Sequence, residues 1–279
     1  MGLRILSNIA SQDVQRNLRA TGMKADADLS RLSSGKRITK SADDAAGLAI
    51  ATNLDAQTRG LRQATRNAND GISLVQTAEG GLNEVTNILI RLRELSVQAA
   101  SDTVGDNERQ LLNSEYQSLI TEVDRISEAT TFNGTPLLNG NSGKGTLEFH
   151  VGAFGGEQNK IKFDADAANA SSDALGISGL TVDERSAAND SIERIDNAIK
   201  NASTVRAQLG SVQSRLQSTV SNLEIQTINQ DSARSVIQDV DVAQATANLA
   251  SSSVLKAAGI ATLAQANNIP FAALKLIGN

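Results

Sequence analysis

The 279-residue sequence predicts a mainly α fold, a long antiparallel helical rod or coiled-coil bundle carrying a small β-hairpin region. Three observations carry that expectation. Only 2% of the residues are aromatic, Trp is absent and there are two prolines. A layered globular core of this size normally fills its interior with bulky rings, whereas a helical bundle needs only Leu, Ile, Val and Ala along a seam. Apolar residues recur every seven positions over long stretches, and in mid-chain that period gives way to alternation between turn signals.

Residues 1–33 have loose helical spacing, with Ile5, Ile9, Val14, Leu18, Leu29 and Leu32 forming no dominant seam. The clearest signal follows them. Leu54, Leu61, Ala68, Val75, Leu82 and Leu89 are spaced by seven, and Ala64, Ala78, Val85 and Leu92 make a companion seam, weakened by Gln57 and Gly71. A helix over residues 45–100 would be roughly 80 Å long at about 1.5 Å per residue, too long for a compact domain and suited to a rod. Leu112, Leu119 and Ile126, with Tyr116 and Val123, predict a second helix over 107–129. The loop 101–106 is short enough to fold it back on the first. Ile195, Ala202, Leu209, Leu216 and Leu223, with Ile199, Val212 and Val220, predict a third helix over 182–231.

Between 131 and 180 the pattern changes. Asn133-Gly134-Thr135-Pro136 and Asn139-Gly140 are turn signals, and residues 145–154 and 159–165 alternate apolar with polar around Gly155-Gly156. That reads as an antiparallel hairpin. Residues 165–178, rich in Ala, Ser, Asn and Asp, read as a surface excursion. Residues 236–279 carry few charges, mainly Asp239, Asp241, Lys256 and Lys275, and Val240, Leu249, Val254, Leu255, Ile260, Leu263 and Ile269 fall on more than one face. A helix apolar on several faces needs cover on several sides. Nothing else in the chain looks able to cover both termini, which points to partner molecules and to segments that order on association.

Chemistry is scarce. Without Cys there are no disulfides or thiolates, and His150 is the single histidine, an ordinary strand residue beside Phe149. Asp43-Asp44 has no base, metal motif or phosphate loop beside it, and a capping role at the start of the long helix explains it better than catalysis. Gly80-Gly81 inside that helix reads as a site of close helix approach, with a flexible point as the alternative. The basic excess over residues 1–40 lacks aromatic stacking partners, and a net charge of −5 argues against nucleic acid. No catalytic, cofactor-binding or metal residue is expected. The first residues show no continuous apolar h-region, so a cleaved secretory signal is not expected, and the tract from Val254, broken by Lys256 and Gln265, falls short of a membrane span.

Four blocks then become recognisable: RLSSGKRITKSADDAAGLAIATNL from Arg31, IRLRELSVQAASDT from Ile90, EVDRISEATTFNGTPLL from Glu122 and VLKAAGIATLAQANNIPFAALKLI from Val254. In this order the chain resembles bacterial flagellin over nearly its whole length, in a short form without large variable outer domains. The resemblance implies a non-enzymatic structural subunit that self-assembles into the extracellular flagellar filament for swimming motility. It implies paired terminal helices, with residues 1–43 and 236–279 as an inner, core-tube domain and 44–235 as an outer rod that includes the hairpin region at 131–180. The filament-core interface would then use Ile5, Ile9, Leu18, Leu29, Leu32, Val240, Leu249, Val254, Leu255, Ile260, Leu263 and Ile269. Implied partners are further copies of the chain, an export chaperone on the C-terminal helix, the flagellar export apparatus, hook-associated junction and cap proteins, and a host Toll-like receptor meeting Arg91, Leu95 and Glu115. A hook-associated junction protein and a soluble coiled-coil adaptor are the alternatives.

Overall fold

The computed structural model describes residues 7–143 and 145–277, with side chains through Pro270. The described residues form six α-helices, α1 (Ile9–Ser34), α2 (Ala45–Ala99), α3 (Asp106–Ala129), the short α4 (Ser172–Leu175), α5 (Arg185–Gln238) and α6 (Val242–Ile277), and one 3-10 turn at Glu157–Asn159. Four strands lie between α3 and α4: β1 (Thr131–Phe132), β2 (Thr135–Pro136), β3 (Thr146–His150) and β4 (Lys160–Asp164). The chain divides into two compact units, residues 57–228 and residues 1–56 with 229–279.

In the 57–228 unit the heptads do what their spacing demands. Ala68, Val75, Ala78, Leu82, Val85, Leu89 and Leu92 of α2 are almost wholly buried, and Ile195, Ala198, Ala202, Leu209 and Leu216 of α5 meet them in one core. Helix α3 is rotated from the expected face. Its core residues are Tyr116, Ile120 and Val123, while Leu112, Leu119 and Ile126 sit half-buried at the flank. Tyr116 and Val123, both in the expected set, are fully buried, and Ile120, four residues on from Tyr116, joins them on that side of the helix.

The hairpins confirm the alternating pattern. Strands β1 and β2 pair antiparallel around Asn133 and Gly134, both at positive φ, the geometry for which Asn-Gly turns are suited. Strands β3 and β4 pair antiparallel from Thr146↔Asp164 to His150↔Lys160. Two glycines of α2 let this hairpin sit close: a Cβ at Gly60 would lie 3.3 Å from Ala153, and one at Gly71 would lie 3.0 Å from the Phe149 ring. Between them Asn67 donates its amide to the His150 carbonyl at 3.0 Å. Gly71 therefore interrupts the heptad because a ring occupies its place.

Residues 165–178 are not a surface excursion. Ala165, Ala168, Ala170, Leu175 and Ile177 are buried in the main core, as are Leu180 and Val182 beyond them. Polar side chains of α3 hold this strap. Asp124 accepts from the Ser172 N–H and hydroxyl, each at 2.8 Å, Gln117 donates to the Leu180 carbonyl at 2.7 Å and Asn113 accepts from the Val182 N–H at 3.1 Å. Gly81 is a site of close approach, since a Cβ there would lie 3.0 Å from Leu138, whereas Gly80 faces open space.

In the other unit, α1 begins on Asn8, whose side chain accepts from the Ser11 N–H at 3.0 Å, and stops at Gly35 in the left-handed region. Asp44 caps α2 by accepting from the Gly47 N–H at 2.8 Å. Helix α5 runs past the expected residue 231 to Gln238, where the chain bonds to the segment after α1: the Arg37 N–H donates to the Gln238 carbonyl at 2.7 Å and the Val240 N–H to the Gly35 carbonyl at 3.1 Å.

Candidate self-association surface

Helices α1 and α6 form an antiparallel pair. Near the start of α1, Asn8 donates to the Ala266 carbonyl at 2.9 Å and the Ser11 hydroxyl donates to the Asn267 side-chain oxygen at 2.8 Å. Further along, Leu18 occupies the notch at Gly259, where a Cβ would lie 2.6 Å from its terminal methyl. The covered positions follow heptads. On α1 they include Ser11, Val14, Leu18, Thr21, Ala25, Asp28 and Leu32; on α6 they are Ala245, Leu249, Ser252, Gly259, Leu263 and Ala266, followed by Pro270. Half of this seam is small or polar, which allows the two backbones to approach but contributes little apolar burial.

Many of the large apolar residues lie outside it. Met23 is 70% exposed and Val254 69%, and Ile9, Leu29, Val242, Leu255, Ile260 and Ile269 are exposed as well. An ordinary two-helix pair would place such residues inward. Here burial is inverted, with Ser11, Asp28, Ala245, Ser252 and Ala266 covered.

The structure divides the interface residues expected from sequence into groups. Leu18, Leu32, Leu249 and Leu263 are half-buried on the seam, while Ile9, Leu29, Val254, Leu255, Ile260 and Ile269 face outward. Val240 is half-buried at the joint with Gly35, and Ile5 lies outside the described residues. Sequence reasoning missed Asn8, Ser11, Gly259 and Asn267. The available signal was the recurrence every seven residues of Ala245, Ser252, Gly259 and Ala266, small residues that a search for large apolar positions passes over.

The segment 35–44 carries Lys36, Arg37 and Lys40 of the basic residues in the first forty, and Arg37, Asp43 and Asp44 find partners within the chain. The Asp43 carboxylate accepts from the Lys40 N–H, the Thr39 N–H and the Thr39 hydroxyl, all at 3.0 Å. The Lys40 N–H first, then the two Thr39 donors and the Arg31 guanidinium 4.0 Å away, hold its pKa below the usual carboxylate range. Arg37 stands 4.0 Å from Asp44 and also donates to the Ile237 carbonyl. Asp43 thus fixes the turn and Asp44 caps the helix.

Arg91 and Glu115 are surface groups that pair with each other at 2.9 Å. Leu95, the third residue of the receptor expectation, is fully buried in the bundle core. His150 lies exposed at the end of β3, and among the described residues no cluster of His, Asp or Glu could hold a metal ion. No described helix is long and apolar enough to cross a membrane.

Comparison with known proteins converges on one family. Residues 5–143 match the model of the bacterial flagellin N-terminal helical region and residues 192–277 that of the C-terminal helical region. A flagellin of Halalkalibacterium halodurans is 39% identical over 270 residues, covering 97% of this chain and 98% of that protein. A flagellar filament core protein of Brachyspira hyodysenteriae is 37% identical over 285 residues, covering 98% and 99%. The crystal structure of Bacillus cereus flagellin is similar at 28% identity and a TM-score of 0.50, covering 57% of this chain and 88% of that one. A Vibrio parahaemolyticus structure described as a flagellar hook-associated protein has a TM-score of 0.57 over 70% of this chain and 99% of that one, but at 14% identity it shares the fold alone.

Proposed function

The chain belongs to the bacterial flagellin family, and we propose that it enters the filament through its terminal helix pair, whose large apolar residues are left for neighbouring copies to cover. The family is structural rather than enzymatic, and this chain is a structural subunit of the extracellular flagellar filament. The single observation that supports the mode of entry is the burial of α1 and α6, whose seam mixes a few half-buried leucines with small and polar residues while Met23, Val254 and Ile260 stay exposed. A pair built this way gains little from its own seam and much from neighbours. At about 25 cal/mol per Å2, roughly 400 Å2 of apolar surface covered by neighbouring copies contributes on the order of 10 kcal/mol before ordering costs. Assembly is then coupled folding, in which the terminal segments become ordered helices as copies cover them.

On this reading residues 1–43 and 236–279 form the inner domain of the filament and 44–235 the outer one. Seeded elongation tests it. Intact chain elongates short filament seeds, and chain lacking about forty residues at either terminus does not, while keeping the far-ultraviolet signal of the 44–235 helices. A truncated chain that elongates seeds overturns the proposal. The junction alternative predicts capping of the hook end without elongation; identity of 39% to a flagellin along 97% of the chain, against 14% to the hook-associated protein, favours the filament.

The same apolar surface supports a chaperoned export step before assembly. Val242, Val254, Leu255 and Ile260 exposed together on one helix are an aggregation hazard in the cytoplasm, which a chaperone bound to α6 removes until the export apparatus takes the chain. Titrating a peptide of residues 240–276 against that chaperone tests the step, and absence of binding sinks it. Junction and cap proteins meet the same terminal surfaces at the two ends of the filament. A Toll-like receptor contact on α2 and α3 would have Arg91 and Glu115 available, with Leu95 withheld in the core; receptor activation by purified monomer and its Arg91→Ala variant decides it.

A further inference from the structure

Resting on the filament reading, we infer that Met23 is an oxidation switch, whose thioether is open to peroxide-class oxidants in the free chain and whose sulfoxide blocks entry into the filament. The argument starts from composition. The chain has no Cys and no Trp, its one tyrosine is buried, and its two methionines are Met1 and Met23. In such a chain the polarizable thioether sulfur is the group that a mild two-electron oxidant attacks first. Met23 stands where that reaction has a consequence. Methionine commonly fills gaps in a core, yet this one is 70% exposed on α1. It lines a groove between the terminal helices together with Ala27 of α1 and Asn248, Ser251 and Leu255 of α6. Leu255 is exposed as well, so the two side chains belong to the apolar surface that neighbouring copies cover on this reading.

The step balances with hydrogen peroxide as the oxidant. The sulfur lone pair attacks one peroxide oxygen, and the S–O bond forms as the O–O bond breaks. The proton of the transferred hydroxyl passes to the departing hydroxide, which leaves as water. Sulfur is oxidised by two electrons and peroxide is reduced by two. The product replaces an apolar sulfur with a polar, chiral sulfoxide. In the free chain water hydrogen-bonds the new oxygen, so the exposed position loses nothing. Beneath a neighbouring copy the same oxygen is stripped of water at a contact that gains from apolar burial, and the penalty falls on association alone. A subunit already in place has its sulfur covered and out of reach. The switch therefore acts on chains about to add and spares the filament behind them, and enzymatic reduction of the sulfoxide resets it.

Seeded elongation with the full chain tests the switch. Free chain is treated with dilute hydrogen peroxide, cleared with catalase and added to untreated seeds, and peptide mapping by mass spectrometry locates the added oxygen. Oxidation at Met23 raises the critical concentration for elongation by about fivefold or more, and methionine sulfoxide reductases return it to the untreated value. Met23→Leu is compared only with itself before and after peroxide, and its critical concentration does not move, although Met1 is open to oxidation in both chains. A partly oxidised natural chain gives a reading that needs no variant: Met23 sulfoxide is depleted in the assembled fraction and enriched in the chain left behind. Peroxide added to finished filaments oxidises Met23 at least about tenfold more slowly than in free chain. Equal sulfoxide fractions in the two pools, an equal loss in Met23→Leu, or equal oxidation rates in filament and free chain each overturn the switch. Failure of the untreated natural chain to elongate seeds would instead refute the filament reading.

Discussion

Arg109 reaches from the first turn of α3 back to the end of α2, donating from Nε to the Ala99 carbonyl at 2.9 Å and from Nη2 to the Ser101 carbonyl at 3.1 Å. Its side chain is 10% exposed and its third contact is Asp106 at 2.8 Å. The last carbonyls of a helix have no intrahelical partner, and here one guanidinium supplies them across the α2–α3 turn. Removing it takes the side-chain donor from the carbonyl of the fully buried Ala99, whereas the Ser101 carbonyl keeps the Val104 N–H at 3.3 Å. Arg109→Ala is therefore expected to lower the unfolding free energy of the 57–228 unit by about 2–3 kcal/mol, measured by urea unfolding followed by circular dichroism. Asp106→Asn is the control and is expected to be nearly silent, because the Asp106 side chain is 91% exposed.

Gly80 and Gly81 separate helix propensity from packing. Nothing stands within 4 Å of a Cβ placed at Gly80, whereas one at Gly81 would crowd Leu138 and the Thr130 methyl, both at 3.0 Å. Gly80→Ala is expected to stabilise by about 0.5–1 kcal/mol, the propensity difference between Gly and Ala in a helix interior. Gly81→Ala gains the same propensity and loses it to displacement of Thr130 and Leu138, so its midpoint falls below that of Gly80→Ala and below wild type. Equal midpoints for the two variants would show that the Gly81 contact yields freely.

These positions also mark how much the sequence discloses. The α2 and α5 seams were legible because Leu, Val and Ala recur at heptad positions that a buried helix face requires. The face of α3 was displaced because Leu112, Leu119 and Ile126 look like a stripe, yet Tyr116, Ile120 and Val123 turn inward. Residues 165–178 were misread because Ala, Ser and Asn resemble a solvated loop; small side chains also pack beneath a strap, and the α3 residues that tether it and the chain just beyond it, Asn113, Gln117 and Asp124, look like a water-facing surface. Of the large apolar residues legible at the termini, Leu18, Leu32, Leu249 and Leu263 lie on the α1–α6 seam, but the rest of that seam was passed over. Those remaining positions are Ser, Thr, Ala, Asp and Gly, which hydrophobic periodicity does not register.

The β3–β4 hairpin carries a four-charge cluster in which Glu157 contacts Lys162 at 2.8 Å and Lys160 at 2.9 Å, and Glu148 contacts the same two lysines at 3.2 and 2.8 Å. The Lys162 ammonium, then Lys160, lower the Glu157 carboxyl to about 2. A carboxyl whose folded value lies below its unfolded value contributes stability above the unfolded value and loses it as pH falls through the folded one. The hairpin contribution should hold above about pH 4.5 and fade between there and about pH 2. Carboxyl-carbon NMR titration of Glu157 checks this, and a midpoint near 4.5 would show that the lysines do not engage it in solution.

Tyr116 is the single tyrosine in a chain without Trp, so its phenol reports on the bundle core without interference. Burial pushes its pKa above the ordinary value, opposed in part by the Ser191 and Ser96 hydroxyls. Because the folded value is the higher one, its contribution to stability is complete below the unfolded value of about 10 and is lost as pH rises through the folded value. Phenolate absorbance should therefore appear at higher pH in native protein than in the urea-unfolded chain, and coincident titrations would mean that the ring is not held in the core. The hydroxyl itself is dispensable. Ser96 already donates to the Leu92 carbonyl at 2.9 Å and Ser191 to the Thr181 carbonyl at 3.0 Å, so removing the phenol oxygen leaves both serine protons satisfied. Tyr116→Phe is expected to stay within about 1 kcal/mol of wild type. Tyr116→Ala empties the space that the ring fills in the core and should cost about 3–5 kcal/mol. A comparable loss in both variants would place the stabilisation in the hydroxyl instead of the ring.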